Sequence, residues 1–481
     1  MAAWIKMSCF GVFGAIRGTS ARLRGLEGVE LPLGMLVFAA VPAVWDFATS
    51  GLELGLLFGW LGGSWWVLNA APLDRSRCTL AAAVLFGLGP LIRPDAAVFS
   101  LALILALLLR MPRPDVKRML VVLGAAVAIP VAYQIFRMGY YGALVPNTAI
   151  AKEAGVAYWD RGWAYLRNGV GQYRLLIPLG ALGFLVALEC RRLRPTGRAL
   201  VATSAVPVAG LLHLLWVVRL GGDFMHARFL IPGLFAILLP AASVVIPSAT
   251  RAMALQAPFV AVITIWASLC ATTMSVSASN TDGFIVERIS MASVIFAEDG
   301  ALISLEDLAA HPFARDAFWI QSATGDQVLI QVNVLNRMAF LGGPVEVHQA
   351  PPGSGVTYVA ATIGMAGMAA GPDTRIIDAF GLADAIGARL ELPEVRSEMA
   401  GHEKDTPLDW IFARAATTEA PSPGTLDAAA ALQCGDLREL VEATTAPLTP
   451  RRFISNFVGS VPRTSLRIPR DPAIARAKFC E

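Results

Sequence analysis

Two acid–base pairs stand out by spacing. Arg93 and Asp95 flank Pro94, and Asp223 precedes Arg228 by about one helical turn behind the glycines Gly221-Gly222. A guanidinium fork matches the oxygens of a phosphate group. A carboxylate at a tight glycine turn suits sugar hydroxyls, a cation or a proton to be accepted. A third cluster, Tyr140-Tyr141-Gly142 to Pro146-Asn147-Thr148 with Lys152, offers stacking, amide and ammonium groups of the kind carbohydrate and phosphate sites use. Each cluster also has a plain structural reading: Arg93–Asp95 as an ion pair capping a helical hairpin, Asp223–Arg228 as a pair closing a loop, Tyr140 and Tyr141 as an interfacial aromatic belt. His402, in Gly401-His402-Glu403-Lys404, is one of five histidines, and catalysis, ligand contact and packing are all open to it.

The elements that must position these groups are apolar helices. Hydrophobic residues make up 56% of the 481 and charged residues 16%, well below the quarter usual for soluble chains. A net charge of +3 gives no electrostatic footprint for a nucleic acid. Apolar runs at 52–70, 79–92, 96–110, 119–137, 172–190, 199–219, 227–247 and 255–273 read as spanning helices, with a shorter run at 31–45 as a partial or interfacial one. The runs 79–92 and 96–110 are short for a span and form a helical hairpin around Arg93-Pro94-Asp95. Basic residues fall in alternate loops: Arg75 and Arg77; Arg110, Arg113, Lys117 and Arg118; Arg191, Arg192, Arg194 and Arg198; then Arg251. The positive-inside rule makes those loops cytoplasmic and puts all three polar clusters on the opposite side. Ionisable groups are costly in a bilayer, so clusters gathered at helix ends on one side point to a site, and a membrane-embedded enzyme is the leading class. A flippase or sugar transporter would need a polar path across the spans, which contain few ionisable residues.

Three segments follow: residues 1–30, a non-native start or cytoplasmic remnant; 31–273, a multi-pass transmembrane domain; and 274–481, an extracytoplasmic mixed α/β domain. In the last, Val356–Ile363 and Thr374–Phe380 have strand character and Ala428–Ala443 has helical spacing. The stretch Gly364-x-x-Gly367-x-x-x-Gly371 lacks the spacing of a dinucleotide loop. Cys78, Cys190 and Cys270 sit in or beside spans as buried thiols, whereas Cys434 and Cys480 are the exported pair, for which an oxidising compartment permits a disulfide.

Together, "SGLE" at 50–53, "YYGALVPNTAIAK" at 140–152 and "GGDFMHARFLIP" at 221–232 resemble the terminal β-(1→2)-arabinofuranosyltransferases of the actinobacterial cell wall (the AftB family), whose bacterial relatives also go by flagellar motor control protein ZomB. "TIGMAGMAAGPDTRIIDAFGLAD" at 362–384 and "GHEK" at 401–404 resemble that family's C-terminal domain. The resemblance implies a polytopic GT-C glycosyltransferase of the plasma membrane, moving an arabinofuranosyl unit from decaprenylphosphoryl-arabinose to cell-wall arabinan. By residue type and position, Arg93, Lys152 and Arg228 are the candidates for the donor phosphate, and Tyr140, Tyr141, Asn147, Asp223 and His402 for the sugar. No metal site or cofactor is implied, though a divalent cation is compatible with Asp223. The general base is expected in an acidic first external loop upstream of Met1; within the chain the candidates are Asp46, Asp95 and Asp223, while Glu53 lies near the outer face. That departure from the pattern leaves two readings: a glycosyltransferase inactive as written, or a non-catalytic membrane protein supporting envelope assembly or motor function.

Overall fold

The computed structural model describes residues 2–73, 75–111, 115–153, 155–195, 197–274, 283–286, 320–331, 345–361, 373–394 and 402–481, together with positions 289, 363, 364, 367 and 370. Most of the Gly364–Gly371 stretch and Gly401 lie outside these residues. The chain divides into two compact units: Met1–Tyr133 with Ala157–Phe284, and Gln134–Val156 with Ile285–Glu481.

The first unit is helical. Among the described residues three of its helices, Val116–Tyr141 (which ends in the second unit), Gly197–Leu220 and Thr250–Thr273, are long and apolar enough to cross a membrane. A fourth span is available if Trp159–Gln172 and Leu176–Leu193, bent by 78° at their junction, count as one. These helices leave most of their apolar surface outside the protein core: only 11%, 39% and 28% of their most apolar stretches is buried. Helices satisfy all their backbone groups internally, which is what a hydrocarbon solvent demands. By length and composition these helices suit a membrane protein.

Other apolar runs make the core instead. Leu54–Ala70 is buried almost throughout, and Phe38, Phe58 and Phe235 meet there with ring centroids 5.1, 4.8 and 5.3 Å apart. Helix Ala2–Gly18 packs directly on Leu54–Ala70. The two backbones approach so closely that a Cβ on Gly62 would lie 2.0 Å from the Gly11 carbonyl oxygen. Small residues permit this approach, as in membrane helix pairs. Thr19 and Glu30 both bond to Ser243, so residues 1–30 form an integral part of the first unit. The 227–247 run is not one helix: Ile231–Leu238 ends near Pro240, and the β-branched Val244–Ile246 (β2) pairs antiparallel with Val29–Leu31 (β1). Proline removes a helical donor, and Val and Ile favour a strand.

The second unit is built on a four-stranded sheet in the order β4-β3-β5-β6, from Gln327–Gln331 (β3), Val345–Gln349 (β4), Val356–Ala360 (β5) and Arg375–Asp378 (β6). The β3–β4 pair is antiparallel and β3–β5 and β5–β6 are parallel, with Val328 opposite Thr357 and Val359 opposite Ile377. Both faces of β3 and β5 are covered, as parallel strands require: Val328, Ile330, Val359 and Ile377 pack with Ile411, and Leu329 and Tyr358 pack on the other side. Helices Pro423–Ala431, Pro450–Ser465 and Pro472–Cys480 each begin with a capping side chain and proline: Ser422, Thr449 and Asp471 accept from backbone N–H groups of the first turn. The predicted 428–443 helix is two, because Cys434 has an extended backbone and caps a new helix, Gly435–Thr445. Cys434 and Cys480 form a disulfide that ties this helix to the end of the chain. Residues 134–156 pack within this unit, a grouping that hydropathy alone does not reveal.

Candidate functional site

The first unit holds a compact ionic cluster. Pro94 disfavours a helical backbone at the residue before it, and Arg93 is accordingly extended, at φ −148° and ψ 137°. That break turns Arg93 and Asp95 toward each other: Arg93 Nε donates to Asp95 Oδ1 at 2.9 Å and Nη2 to Oδ2 at 3.2 Å. The remaining Nη1 donates to Glu53 Oε1 at 2.5 Å. On the other side, Asp95 Oδ2 lies 2.9 Å from Nε2 of His213, a buried residue of the Gly197–Leu220 helix.

The Gly221-Gly222 turn supplies the rest. Both glycines have positive φ, and a Cβ on Gly222 would come within 2.3 Å of the Tyr165 ring. Only glycine fits such a backbone against an aromatic neighbour. The turn delivers Asp223, 1% exposed, whose Oδ1 accepts from the Phe224 N–H at 3.0 Å and whose Oδ2 accepts from Arg228 Nη1 at 3.3 Å. Tyr165 donates its hydroxyl to the Met225 carbonyl at 2.9 Å and accepts from the Phe229 N–H at 3.1 Å, which fixes the loop. Arg228 Nη2 then lies 3.9 Å from the same Glu53 oxygen that Arg93 reaches. Both guanidiniums also lie in cation–π range of Phe229, at 5.1 and 5.5 Å from its centroid.

Two guanidiniums thus converge on one carboxylate oxygen. Of the three acids in the cluster, Glu53 is 31% exposed, against 7% for Asp95 and 1% for Asp223. Asp95 is held by Arg93 and His213 and Asp223 by the Phe224 N–H and Arg228, both with buried side chains, and Glu53 is the accessible one. Spacing revealed Arg93, Asp95, Asp223 and Arg228, whereas His213 and Tyr165 were missed. The available signal for His213 was an ionisable residue inside an apolar helix. Asp46 is half-buried on the helix Pro42–Thr49.

The other predicted residues belong to the second unit. Asn147 opens the short helix Asn147–Ala151; its Nδ2 donates to the Ala383 carbonyl at 3.2 Å and its Oδ1 accepts from Arg389 Nη1 at 3.1 Å. Its amide therefore fastens a loop in this structure. Lys152 follows that helix, half-buried. Tyr140 and Tyr141 are exposed, with centroids 4.7 Å apart. His402 meets the Phe380 ring edge-on at 5.1 Å. Glu153 accepts from Lys404 at 2.6 Å and Arg467 at 3.0 Å. Burial works against the Glu153 charge, but these two cations outweigh it and hold the carboxyl below the ordinary range. Burial likewise lowers Lys404, and there Glu153 offsets it only in part. Among the described residues no group of three or more His, Cys, Asp or Glu side chains is placed to hold a metal ion.

Comparison with known proteins decides the family. Residues 343–477 match the AftB family C-terminal domain. The terminal beta-(1->2)-arabinofuranosyltransferase of Mycobacterium tuberculosis is 32% identical, over 94% of this chain and 79% of that protein. The chain belongs to this family. The protein of the same name from Corynebacterium glutamicum is 31% identical, over 95% of this chain and 73% of that one. No solved structure matches the chain. Family membership joins both units in one protein type, since the match to the relatives runs across the ionic cluster and the C-terminal sheet alike.

Proposed function

We propose that this chain is a GT-C-type membrane glycosyltransferase that moves an arabinofuranosyl unit from decaprenylphosphoryl-arabinose onto cell-wall arabinan. The observation that carries the reading is the convergence of Arg93 and Arg228 on one oxygen of Glu53, the most exposed acid of the cluster. Breaking the donor's anomeric C–O bond leaves the electron pair on the phosphate, and two preoriented guanidiniums are suited to the charge that develops there. The sugar then sits toward Asp223, and the acceptor hydroxyl gives its proton to a carboxylate. Glu53 suits that role best within these residues, because it is the most exposed carboxylate of the cluster whereas the side chains of Asp95 and Asp223 are buried. The alternation of basic loops supports a multi-pass topology with the C-terminal unit outside the cytoplasm.

The test is transfer of labelled arabinose from decaprenylphosphoryl-arabinose to an arabinan acceptor by the chain in detergent or nanodiscs. Arg93→Lys and Arg228→Lys should each lose most transfer, and Glu53→Gln should lower turnover while the folded fraction stays constant. Wild-type transfer by both lysine variants would overturn the phosphate assignment.

A further inference from the structure

Helix Pro450–Ser465 is inside out. Its protein-facing side is polar: Asn456 and Ser460 are fully buried and Arg463 is 6% exposed. The opposite side is apolar and uncovered, with Ile454 63%, Phe457 36%, Val458 70% and Val461 53% exposed. Positions 454, 458 and 461 follow helical spacing, so they form one stripe, flanked by Phe457. A surface helix in water shows the reverse arrangement.

The buried polar face has a definite job. Asn456 Nδ2 donates to the Gly139 carbonyl at 3.1 Å and to the Ala443 carbonyl at 3.0 Å. Arg463 Nε donates to the Gly142 carbonyl at 3.0 Å, and Thr464 Oγ1 accepts from the Leu144 N–H at 2.8 Å. The ring of Phe453 lies where a side chain on Gly139 would be, within 2.3 Å of that Cβ position. Gly139 is in the last turn of Val116–Tyr141, the most apolar of the three candidate spans and the least buried. The final carbonyls of a helix have no partner within it, and here the side chains of a second helix supply them. The last two turns of that helix carry exposed Phe136, Tyr140 and Tyr141, aromatic groups suited to the boundary between hydrocarbon and headgroups.

We infer that helix Pro450–Ser465 lies in the bilayer interface at the exit of the Val116–Tyr141 span, with Ile454, Phe457, Val458 and Val461 set among the upper acyl chains. The inversion then has a physical cause. The helix is bolted through its polar side to the end of a spanning helix, which leaves only lipid for its apolar side. Such a helix lies in the plane of the membrane instead of crossing it. Exposed Arg451 in the first turn suits the phosphates of the headgroups. The C-terminal unit is on this view a monotopic domain, held to the lipid surface by its own helix as well as by the chain.

The experiment places an environment-sensitive fluorophore, nitrobenzoxadiazole, at Ile454→Cys, Val458→Cys or Val461→Cys, with exposed Leu426→Cys of helix Pro423–Ala431 as reference. The background replaces Cys9, Cys78, Cys190 and Cys270 with serine and keeps the Cys434–Cys480 bond. The full chain is reconstituted in phosphatidylethanolamine–phosphatidylglycerol vesicles. The three stripe positions should emit to the blue of position 426 and be quenched several-fold more by lipids carrying a nitroxide high on the acyl chain. Equal access of aqueous iodide to all four positions would overturn the assignment. So would protection from both quenchers with a dimer mass in nanodiscs, because a second copy would then cover the stripe.

Discussion

Asp95 and His213 lie 118 residues apart in sequence and meet at 2.9 Å in the interior of the first unit. The contact joins the Pro94 helix break to the middle of the Gly197–Leu220 helix, and so fixes the carboxylate that orients Arg93. Replacing His213 with Ala leaves a buried acceptor short of a donor, at a cost of about 1–3 kcal/mol. We expect a lower unfolding temperature, read by tryptophan fluorescence in detergent, and weaker arabinose transfer. His213→Gln, which retains a side-chain donor, should recover part of both. Identical behaviour of the two variants would show that the bond is not the reason for the effect.

Arg93 presents three donors to two carboxylates, a geometry that an ammonium group does not reproduce. Arg93→Lys should reduce kcat/KM at least about tenfold, on the scale of roughly 1.5–3 kcal/mol for hydrogen bonds to charged groups. Donor titrations separate this from misfolding: the loss should appear with a folded protein whose donor KM has risen.

Gly222→Ala should damage the loop itself. The substitution sets a methyl group 2.3 Å from the Tyr165 ring at a φ of +74°. The left-handed backbone alone costs about 1–2 kcal/mol for an L-residue, and the clash adds to it. The expected result is reduced yield of folded protein, seen as aggregation on size-exclusion chromatography. A monodisperse peak with an unchanged unfolding temperature would contradict the argument.

Glu153 gives the second unit an acid-sensitive contact. Its folded-state carboxyl titrates below its ordinary value of 4.5, so its contribution to stability is present above that pH and is lost as pH falls through the depressed folded value. Glu153→Gln should therefore destabilise the chain at neutral pH and flatten the acid limb of its stability curve below pH ~4.5. Unfolding temperatures of both forms across pH 3–7 provide the check. Parallel curves would mean that another group controls the limb.

The Cys434–Cys480 bond closes a loop with a sequence separation of 46. Chain entropy assigns such a closure roughly 4 kcal/mol. Reduction, or Cys480→Ser, should lower the unfolding temperature by several degrees. An unchanged midpoint with free thiols demonstrated by alkylation would show that the neighbouring contacts hold the last helix unaided.

Local grammar carried much of the fold. Val356–Ala360 and Arg375–Asp378 are strands where β-branched residues cluster, and Arg93 with Asp95 and Asp223 with Arg228 are pairs because each sits within a turn of its partner. What joins the two pairs is Glu53, 40 residues from Arg93, and no spacing rule encodes that contact. The pairing of His213 with Asp95 was hidden for the same reason, although an ionisable residue in an apolar helix marked His213 itself. The interruption at Pro240 and the fresh helix after Cys434 were written in the residues, but an apolar count averages over single breakers. The placement of Asn147 against Arg389 needed tertiary structure, since an amide that binds a sugar and one that pins a loop look alike in sequence.

The division of the chain has a consequence for its inheritance. Because Gln134–Val156 packs with the C-terminal residues, the polypeptide passes between the two units three times, at 133/134, 156/157 and 284/285. No single cut separates them. A truncation after Phe284 would strip Asn147 of Arg389 and the Gly142 carbonyl of Arg463, leaving the 23-residue segment Gln134–Val156 without those partners. The units are not interchangeable beads on a string, and a viable chimera must exchange Gln134–Val156 together with everything after Phe284.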